Sequence, residues 1–379
     1  MEHPAWTLAL VSGGFALMGR VYLGWRARRA LRVAEPGGDC HAALEALGRE
    51  FGAVIGVGIA VLGMLAVGSL EGTGPSALAG AWLAILGVSW WLYRGFASDQ
   101  LRLLEAYRGA AWNAPIQLAL AALTLGPILG VPLCAAALAW LGLVAAEGLG
   151  RGDLVAPFAA LAVYPGFVVW GLWATAVIRR HFRNPNPLPG RIRDRLQALL
   201  GGVAAENIVV LPTEGRAFYN AVALPAQREA KVWISQALLH ELSDDEAIAT
   251  LLHEHSHVER RDDLRRAGWT LALHALALVV CWAIGLMPGL VSSTLLFAFA
   301  FFLASTAIGQ LHELRADAAA AHHGFAEAMG RALATLHRVN AVPSEAKNEG
   351  WMTHPLLRKR LAALGVELEP DPADAEQPG

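Results

Sequence analysis

Long apolar runs alternate with short polar segments along the chain. A helix needs about 20 apolar residues to cross a bilayer. Runs of this length occur at 5–24, 51–70, 77–96, 115–147, 154–178, 267–287 and 291–310. The run at 115–147 exceeds one crossing, and Gly126-Pro127 and Gly130-Val131-Pro132 are points where it could bend or divide. The pattern predicts about seven transmembrane helices, the first of them a retained anchor.

Arginine positions predict how these helices are oriented, because cytoplasmic loops are enriched in Lys and Arg. Arginines cluster after the first run (Arg26, Arg28, Arg29, Arg32), the third (Arg94, Arg102, Arg108) and the fifth (Arg179, Arg180, Arg183, Arg191, Arg193, Arg195). If 115–147 crosses once, the 180–265 region and the C-terminus lie in the cytoplasm. Two crossings there would invert everything that follows.

Composition supports a membrane protein and argues against nucleic-acid binding. Of the 379 residues, 55% are hydrophobic and 16% charged, and the mean hydropathy is +0.42. The formal net charge of -2 provides no basic field, so we expect no nucleic-acid partner. Cys40, Cys134 and Cys281 are widely spaced, which fits apolar filling better than disulfides or a metal site.

The main polar segment predicts a small α/β unit. After the linker at 184–190, the pattern indicates a helix near 191–201 and strands near 207–211, 216–223 and 231–235. A second helix follows at 243–262, begun by Ser243 and Glu246 as a capping box. The predicted divisions are a membrane domain at 1–179, a polar part at 180–266, a two-span hairpin at 267–310, a second polar part at 311–365 and an acidic tail at 366–379.

Metal-ligand spacing appears once on the second of these helices, in His253-Glu254-His255-Ser256-His257. Residues four apart share a helix face, so His253 and His257 can present two imidazoles to one Zn²⁺. Glu254 lies off that axis, where it can exchange protons with a zinc-activated water. The spacing predicts a thermolysin-like metalloprotease centre with one Zn²⁺ per chain.

A catalytic zinc site of this kind takes a third protein ligand from another helix. We predict Glu313, with Asp317 one turn later accepting the free N–H of a ligand histidine. The two-span hairpin returns the chain to the same membrane face, so the groups can meet. The structural alternatives are a core or surface histidine pair, a surface Glu313 with His312, His322 or His323 as ligand, and a solvated Asp317.

Three segments carry a family resemblance. They are Leu251-Leu252-His253-Glu254-His255-Ser256-His257, Glu313-Leu314-Arg315-Ala316-Asp317, and Thr353-His354-Pro355 with Arg360. In this order they resemble the signatures of the HtpX and type I CAAX prenyl protease family over roughly 205–365. Ala217-Phe218 resembles the family's edge strand, and seven spans resemble the CAAX protease architecture more than that of HtpX.

The resemblance implies proteolysis at or within the membrane. It places His253, His257 and Glu313 on zinc, Glu254 as catalyst, and His354 and Arg360 on substrate backbone or developing oxyanion. The strand with Ala217, Phe218, Tyr219 and Asn220 could pair with an extended peptide. For His354 and Arg360 a capped surface helix, and for the strand an ordinary hairpin, remain the alternatives.

A second family resemblance stays open. The continuation Val258-Glu259-Arg260-Arg261-Asp262-Asp263 also resembles the BlaR/MecR-type antirepressor proteases. We therefore expect an integral protein of a bacterial inner membrane, its active site cytoplasmic, that cleaves membrane-associated or misfolded polypeptides. The partners are peptide or protein and the lipid bilayer, with no oligomeric state assigned. The alternatives are a signalling protease that cleaves a repressor and a catalytically silent, zinc-stabilised scaffold.

Overall fold

A computed structural model gives the coordinates of the protein. The structure describes residues 4–32, 161–181, 185–201, 206–213, 218–224, 231–286, 290–340 and 354–367, with scattered residues between 46 and 141. The predicted spans at 51–70, 77–96 and 115–147 lie largely outside these residues. The described residues also exclude Cys40, Ala217, Thr353 and the tail from 368 onward.

The described elements follow one another along the chain. Helices are α1 (Pro4–Leu31), α2 (Val163–His181), α3 (Gly190–Leu200), α4 (Gln236–Glu241), α5 (Asp244–Arg260), α6 (Asp262–Ala283), α7 (Leu290–Leu303), α8 (Gly309–His322), α9 (Ala326–Asn340) and α10 (Leu357–Leu364). Strands are β1 (Asn186–Pro187), β2 (Ile208–Leu211), β3 (Ala221–Leu224) and β4 (Lys231–Ser235). A π-helical turn, Ala304–Ile308, joins α7 to α8.

The chain divides into two compact units. The first comprises Met1–His181 and Trp269–Phe302, and the second comprises Phe182–Gly268 and Leu303–Gly379. The segment boundaries predicted after residues 179, 266, 310 and 365 stay a prediction. One of them falls inside an element, because α7, the π turn and α8 run as one continuous helical stretch through residue 310.

Within the part of the chain that the structure describes, two helical stretches are long and apolar enough to cross a bilayer, Asp262–Ala283 and Ser292–His322. They overlap the predicted spans at 267–287 and 291–310. In α2, Val163–Trp173 is a shorter apolar helix within the predicted span at 154–178. The total of seven spans stays a prediction, since three of the predicted spans lie largely outside the described residues.

A small sheet of four described strands forms one layer of the second unit, in the order β1-β2-β4-β3. β2 and β4 run parallel, while β1 and β3 pair antiparallel at the edges. The predicted helix at 191–201 and strands at 207–211 and 231–235 are confirmed within one residue. The predicted strand at 216–223 was placed too early, because the regular ladder begins only at Ala221.

β1 arises from the linker, where no strand was predicted. Pro187 pairs with Val209 at the edge of the sheet. Proline cannot donate to a ladder, so it is confined to edge positions of this kind. A two-residue strand also carries no alternation from which it could be predicted.

The core of the second unit lies between the sheet and α5. Apolar side chains of α3, β4, α5 and α9 meet there, among them Ile192, Leu196, Ile234, Ile248, Leu251 and Leu333. α10 and the residues after it approach α9 closely: a Cβ added at Gly330 would lie 3.3 Å from a methyl of Leu361 in α10 and 2.9 Å from a methyl of Val366. This packing fixes the helices that carry the polar residues described below.

α5 begins and ends through specific local interactions. Ser243 accepts from the N–H of Glu246, and the Glu246 carboxylate accepts from the N–H of Ser243, which confirms the predicted capping box. The helix ends at Arg260, two residues earlier than predicted. Arg261 adopts a left-handed backbone with φ 53° and ψ 44°, and α6 starts at once.

Removing the cap should destabilise the second unit. Ser243→Ala leaves helix N–H groups unsatisfied, which typically costs about 1 kcal/mol. We expect the thermal unfolding midpoint of the purified protein to fall by a few degrees. Ser243→Asp keeps an acceptor and should retain the midpoint of the parent; an equal loss in both variants would contradict the cap.

Candidate metal centre

Two imidazoles of α5 face each other. His253 and His257 lie one turn apart, and their Nε2 atoms are 3.2 Å apart. The rings stand nearly perpendicular, at 83°. Both side chains are largely enclosed, with 6% and 17% of their surfaces exposed.

Glu313 of α8 completes the cluster. Its carboxylate oxygens lie 3.7 Å from Nε2 of His253 and 3.5 Å from Nε2 of His257. The candidate ligand atoms of the three residues all lie within 4.8 Å of one another. Among the residues that the structure describes, no other group of three His, Cys, Asp or Glu side chains meets this spacing.

Each histidine is backed by a carboxylate on its far nitrogen. Nδ1 of His257 donates to Asp262 over 2.8 Å. Asp317 lies 2.9 Å from Nδ1 of His253, although that nitrogen has no well-aligned hydrogen-bond partner among the described residues. A proton held on Nδ1 leaves Nε2 as a lone pair, which is the form a metal requires.

The donor set fits a zinc ion. Two nitrogens bound tetrahedrally at about 2.0–2.1 Å from zinc lie roughly 3.3 Å apart, and the observed separation is 3.2 Å. Burial lowers the pKa of His257, but the hydrogen bond to Glu313 and the charges of Glu254 and Glu313, together with Asp262, raise it to about 9. The surroundings therefore favour positive charge between the imidazoles.

Asp262 was missed at the sequence level, because the helix was predicted to continue through it. In an unbroken helix, a residue five positions after His257 would point about 140° away from it. The left-handed conformation of Arg261 turns the chain and brings Asp262 back to the imidazole. The signal was present as paired aspartates, Asp262-Asp263, which favour the first turn of a new helix.

Asp317 is held by a buried arginine of α10. Nε and Nη2 of Arg360 donate to the two Asp317 oxygens over 2.7 and 2.6 Å. Nη1 of Arg360 lies 3.5 Å from Glu313. The structure thus pairs Arg360 with Asp317. A contact of Arg360 with substrate backbone or the developing oxyanion stays a prediction.

His354 lies beside the carboxylate of Glu313. Its Nδ1 is 3.1 Å from Glu313, and 64% of its side chain is exposed. The negative charge of Glu313 raises the pKa of His354. His354 is thus the member of the predicted pair that remains accessible from outside.

Glu254 reaches the edge strand. One of its carboxylate oxygens accepts the backbone N–H of Ala223 in β3 over 2.9 Å. Of the four residues predicted to bind substrate, Phe218 is buried in the core with 1% exposure, and Asn220 directs its main chain to Ser235 of β4. The carbonyl of Tyr219 accepts from Asn340, and Ala217 lies outside the described residues.

The sequence around these groups is similar to that of a known peptidase family. Residues 200–367, which include every group named above, match the description "Peptidase family M48". This segment, less than half of the chain, is thus similar to peptidase family M48. The family resemblance predicted from the three motifs is therefore confirmed. M48 enzymes are metallopeptidases, and the segment carries a possible His-His-Glu metal site consistent with that class.

Other comparisons are more distant. A search of curated proteins finds no match. Among solved structures, the crystal structure of S. mikatae Ste24p is similar at 15% identity, with a TM-score of 0.42, over 94% of this chain and 98% of that chain.

Asp262 should matter for metal binding by the M48 segment although it is not a predicted ligand. Asp262→Asn weakens the hydrogen bond that orients His257, and loss of such partners typically costs about 10–100-fold in metal affinity. Chelator competition with Zn²⁺ measures this change. Asp263→Asn is the control, because Asp263 pairs with Arg266 instead; equal losses in both variants would contradict the assignment.

His337 of α9 is a further titratable group near the centre. Burial, followed by the charges of Arg360 and His354, lowers its pKa to about 4. Its Nδ1 is buried and has no hydrogen-bond partner among the described residues. The imidazole is therefore neutral in the folded protein at neutral pH.

Acid should destabilise the folded protein partly through His337. The unfolded chain gains this proton near pH 6.5 and the folded chain only near pH 4, so stability falls as pH drops through that window. Between pH 7 and 5 the loss amounts to at most about 2 kcal/mol. With chelator present, the thermal unfolding midpoint of His337→Gln should fall less between pH 7 and pH 5 than that of the parent. The exposed His322→Gln serves as the control and should fall as much as the parent. Equal drops in His337→Gln and the parent would refute this role.

Proposed function

We propose that this protein is a membrane-embedded, zinc-dependent endopeptidase that hydrolyses peptide bonds of membrane-associated or misfolded polypeptides. The observation that carries the proposal is the convergence of His253, His257 and Glu313, with each histidine backed by a carboxylate. The similarity of the segment 200–367 to peptidase family M48 supports the reaction class.

The metal would be held by His253, His257 and Glu313, which leaves one coordination position for water or substrate in a tetrahedral site. When bound, zinc supplies Lewis acidity that polarises a peptide carbonyl and makes water a nucleophile near neutral pH. The chemistry needs no serine or cysteine nucleophile.

Glu254 is proposed as the group that moves the proton. It lies between the two ligand histidines in sequence and already meets the edge strand through Ala223. From this position its carboxylate can take the proton of the attacking water and later give it to the leaving amine nitrogen. A peptide bound along β3 would present its scissile bond beside this carboxylate.

The remaining residues have supporting roles. Asp262 and Asp317 orient the two histidines, and Arg360 holds Asp317 in place through two short hydrogen bonds. We assign Arg360 to positioning for this reason. His354, exposed and close to Glu313, can donate to the oxygen that gains negative charge in the transition state.

The apolar helices and the arginine pattern support a location in the membrane. The stretch Ser292–His322 is long enough to cross a bilayer and includes Glu313 near its end. We propose that the centre lies at the cytoplasmic side of a bacterial inner membrane, where the Arg-rich segment after α2 also lies. The bilayer is then the source of membrane-associated substrates.

Substitution of the proton-transfer group separates catalysis from metal binding. Glu254→Gln should lower casein cleavage by at least about 100-fold, because general acid-base transfer contributes that much or more, while bound zinc stays at the parent level. Glu313→Ala should lose both zinc and cleavage. Metal analysis and cleavage assays, with and without chelator, measure these changes in purified protein.

The control is Glu259→Gln, an exposed carboxylate on the same helix. It should retain both zinc and cleavage. A parent that binds zinc but cleaves nothing would indicate a zinc-stabilised scaffold. Zinc and activity retained in Glu313→Ala would remove this carboxylate from the centre.

A further inference from the structure

The outer edge of β3 can be read from the way its inner edge is bonded. The N–H of Ser235 donates to the carbonyl of Asn220 over 2.9 Å, and the N–H of Asn220 donates to the Ser235 hydroxyl over 3.2 Å. In an antiparallel ladder, successive residues direct their main-chain groups to opposite edges. Tyr219, Ala221 and Ala223 therefore direct theirs away from β4.

Two of these three residues already have partners on the outer edge. The carbonyl of Tyr219 accepts from the side-chain amide of Asn340 over 2.8 Å. The N–H of Ala223 donates to Glu254 over 2.9 Å. Ala221 lies between these contacts, so its N–H and carbonyl form the central pair that an added strand would meet.

Asn340 lies 121 residues after Tyr219 in the sequence. It is the last residue of α9, and His337 lies one turn earlier on the same helix. α9 packs against α5, α8 and α10, the helices that carry the two histidines, Glu313 and Arg360. α9 thus contacts the helices of the candidate metal centre and, through Asn340, the start of the edge strand.

We propose that Asn340 is a positioning residue for the peptide substrate: its bond to Tyr219 fixes the outer edge of β3 in the register that sets Ala221 against the substrate backbone. The inference rests on the proposed function. Because Asn340 also occupies the Tyr219 carbonyl, it ends the pairing edge there. Substrate is then recognised over a short extended segment, through its main chain, with little dependence on sequence on that side.

A residue that positions the pairing edge affects the binding of the substrate and of the transition state equally. This gives its loss a distinct kinetic signature. Loss of uniform binding raises KM and leaves kcat unchanged. Asn340→Asp replaces the amide donor with an acceptor at nearly constant size, so the Tyr219 carbonyl loses its partner and faces a negative charge. A hydrogen bond of this kind corresponds to about a fivefold change in affinity.

The experiment uses the full-length protein and an internally quenched peptide containing the casein bond that it cleaves fastest. Asn340→Asp and Asn340→Ala should raise KM by about fivefold with kcat within about twofold of the parent and full zinc content. Arg338→Ala is the control from the same turn, because its side chain is 61% exposed. Its KM should match that of the parent.

A binding measurement separates this inference from the proposed function. Fluorescence anisotropy gives the Kd of a labelled casein peptide for Glu254→Gln protein with and without Asn340→Asp, and we expect the second change to raise Kd by about fivefold. An unchanged Kd and KM at full zinc content would overturn the role of Asn340 alone. A fall in kcat that follows zinc loss, with KM unchanged, would also overturn it. A parent that never cleaves, with Kd still raised by Asn340→Asp, would overturn the proposed reaction and keep the positioning role.

Discussion

The centre depends on two imidazole nitrogens, Nε2 of His253 and Nε2 of His257, which face each other across 3.2 Å. With the proton of each neutral ring on Nδ1, each Nε2 directs a lone pair at the other. Bringing two such electron pairs together is unfavourable unless a proton or a cation lies between them. Because His253 and His257 are largely buried, water cannot readily solvate these nitrogens instead. Three surrounding carboxylates, those of Glu313, Asp262 and Asp317, make that space favourable for positive charge. Most of the neighbouring structure serves to hold these groups in register.

Two irregularities in the helices contribute to this arrangement. A left-handed residue at Arg261 ends α5 and turns Asp262 toward His257. A π-helical turn at Ala304–Ile308 precedes Glu313 in the same helical stretch, and each extra residue in a turn changes the face that later side chains occupy. Regular helices would carry the same residues but present them in other directions. Strained or irregular backbone is often found where chemistry has to be aimed.

Behind the ligands, a second set of contacts links elements that are far apart in sequence. Arg360 of α10 fixes Asp317 of α8, and the close approach of α9 at Gly330 fixes α10 in turn. α9 also reaches the edge strand through Asn340, while Glu254 meets that strand from α5. The candidate metal ligands, the proposed proton carrier and the proposed substrate edge are therefore linked by hydrogen bonds and close packing. A displacement of any one of these helices is therefore expected to shift the side chains that the others hold.

The sequence alone determined the parts of the centre that depend on spacing within one helix. His253 and His257 share a face because they are four residues apart, and Asp317 follows Glu313 by the same interval. The capping box and two of the three predicted strands were likewise local patterns. Only the tertiary structure decided which groups from different elements meet: Asp262 depends on one left-handed residue, Arg360 turned out to face Asp317, and Asn340 lies 121 residues from its partner. Local periodicity specifies the face of an element, whereas contacts between elements depend on packing that no single segment encodes.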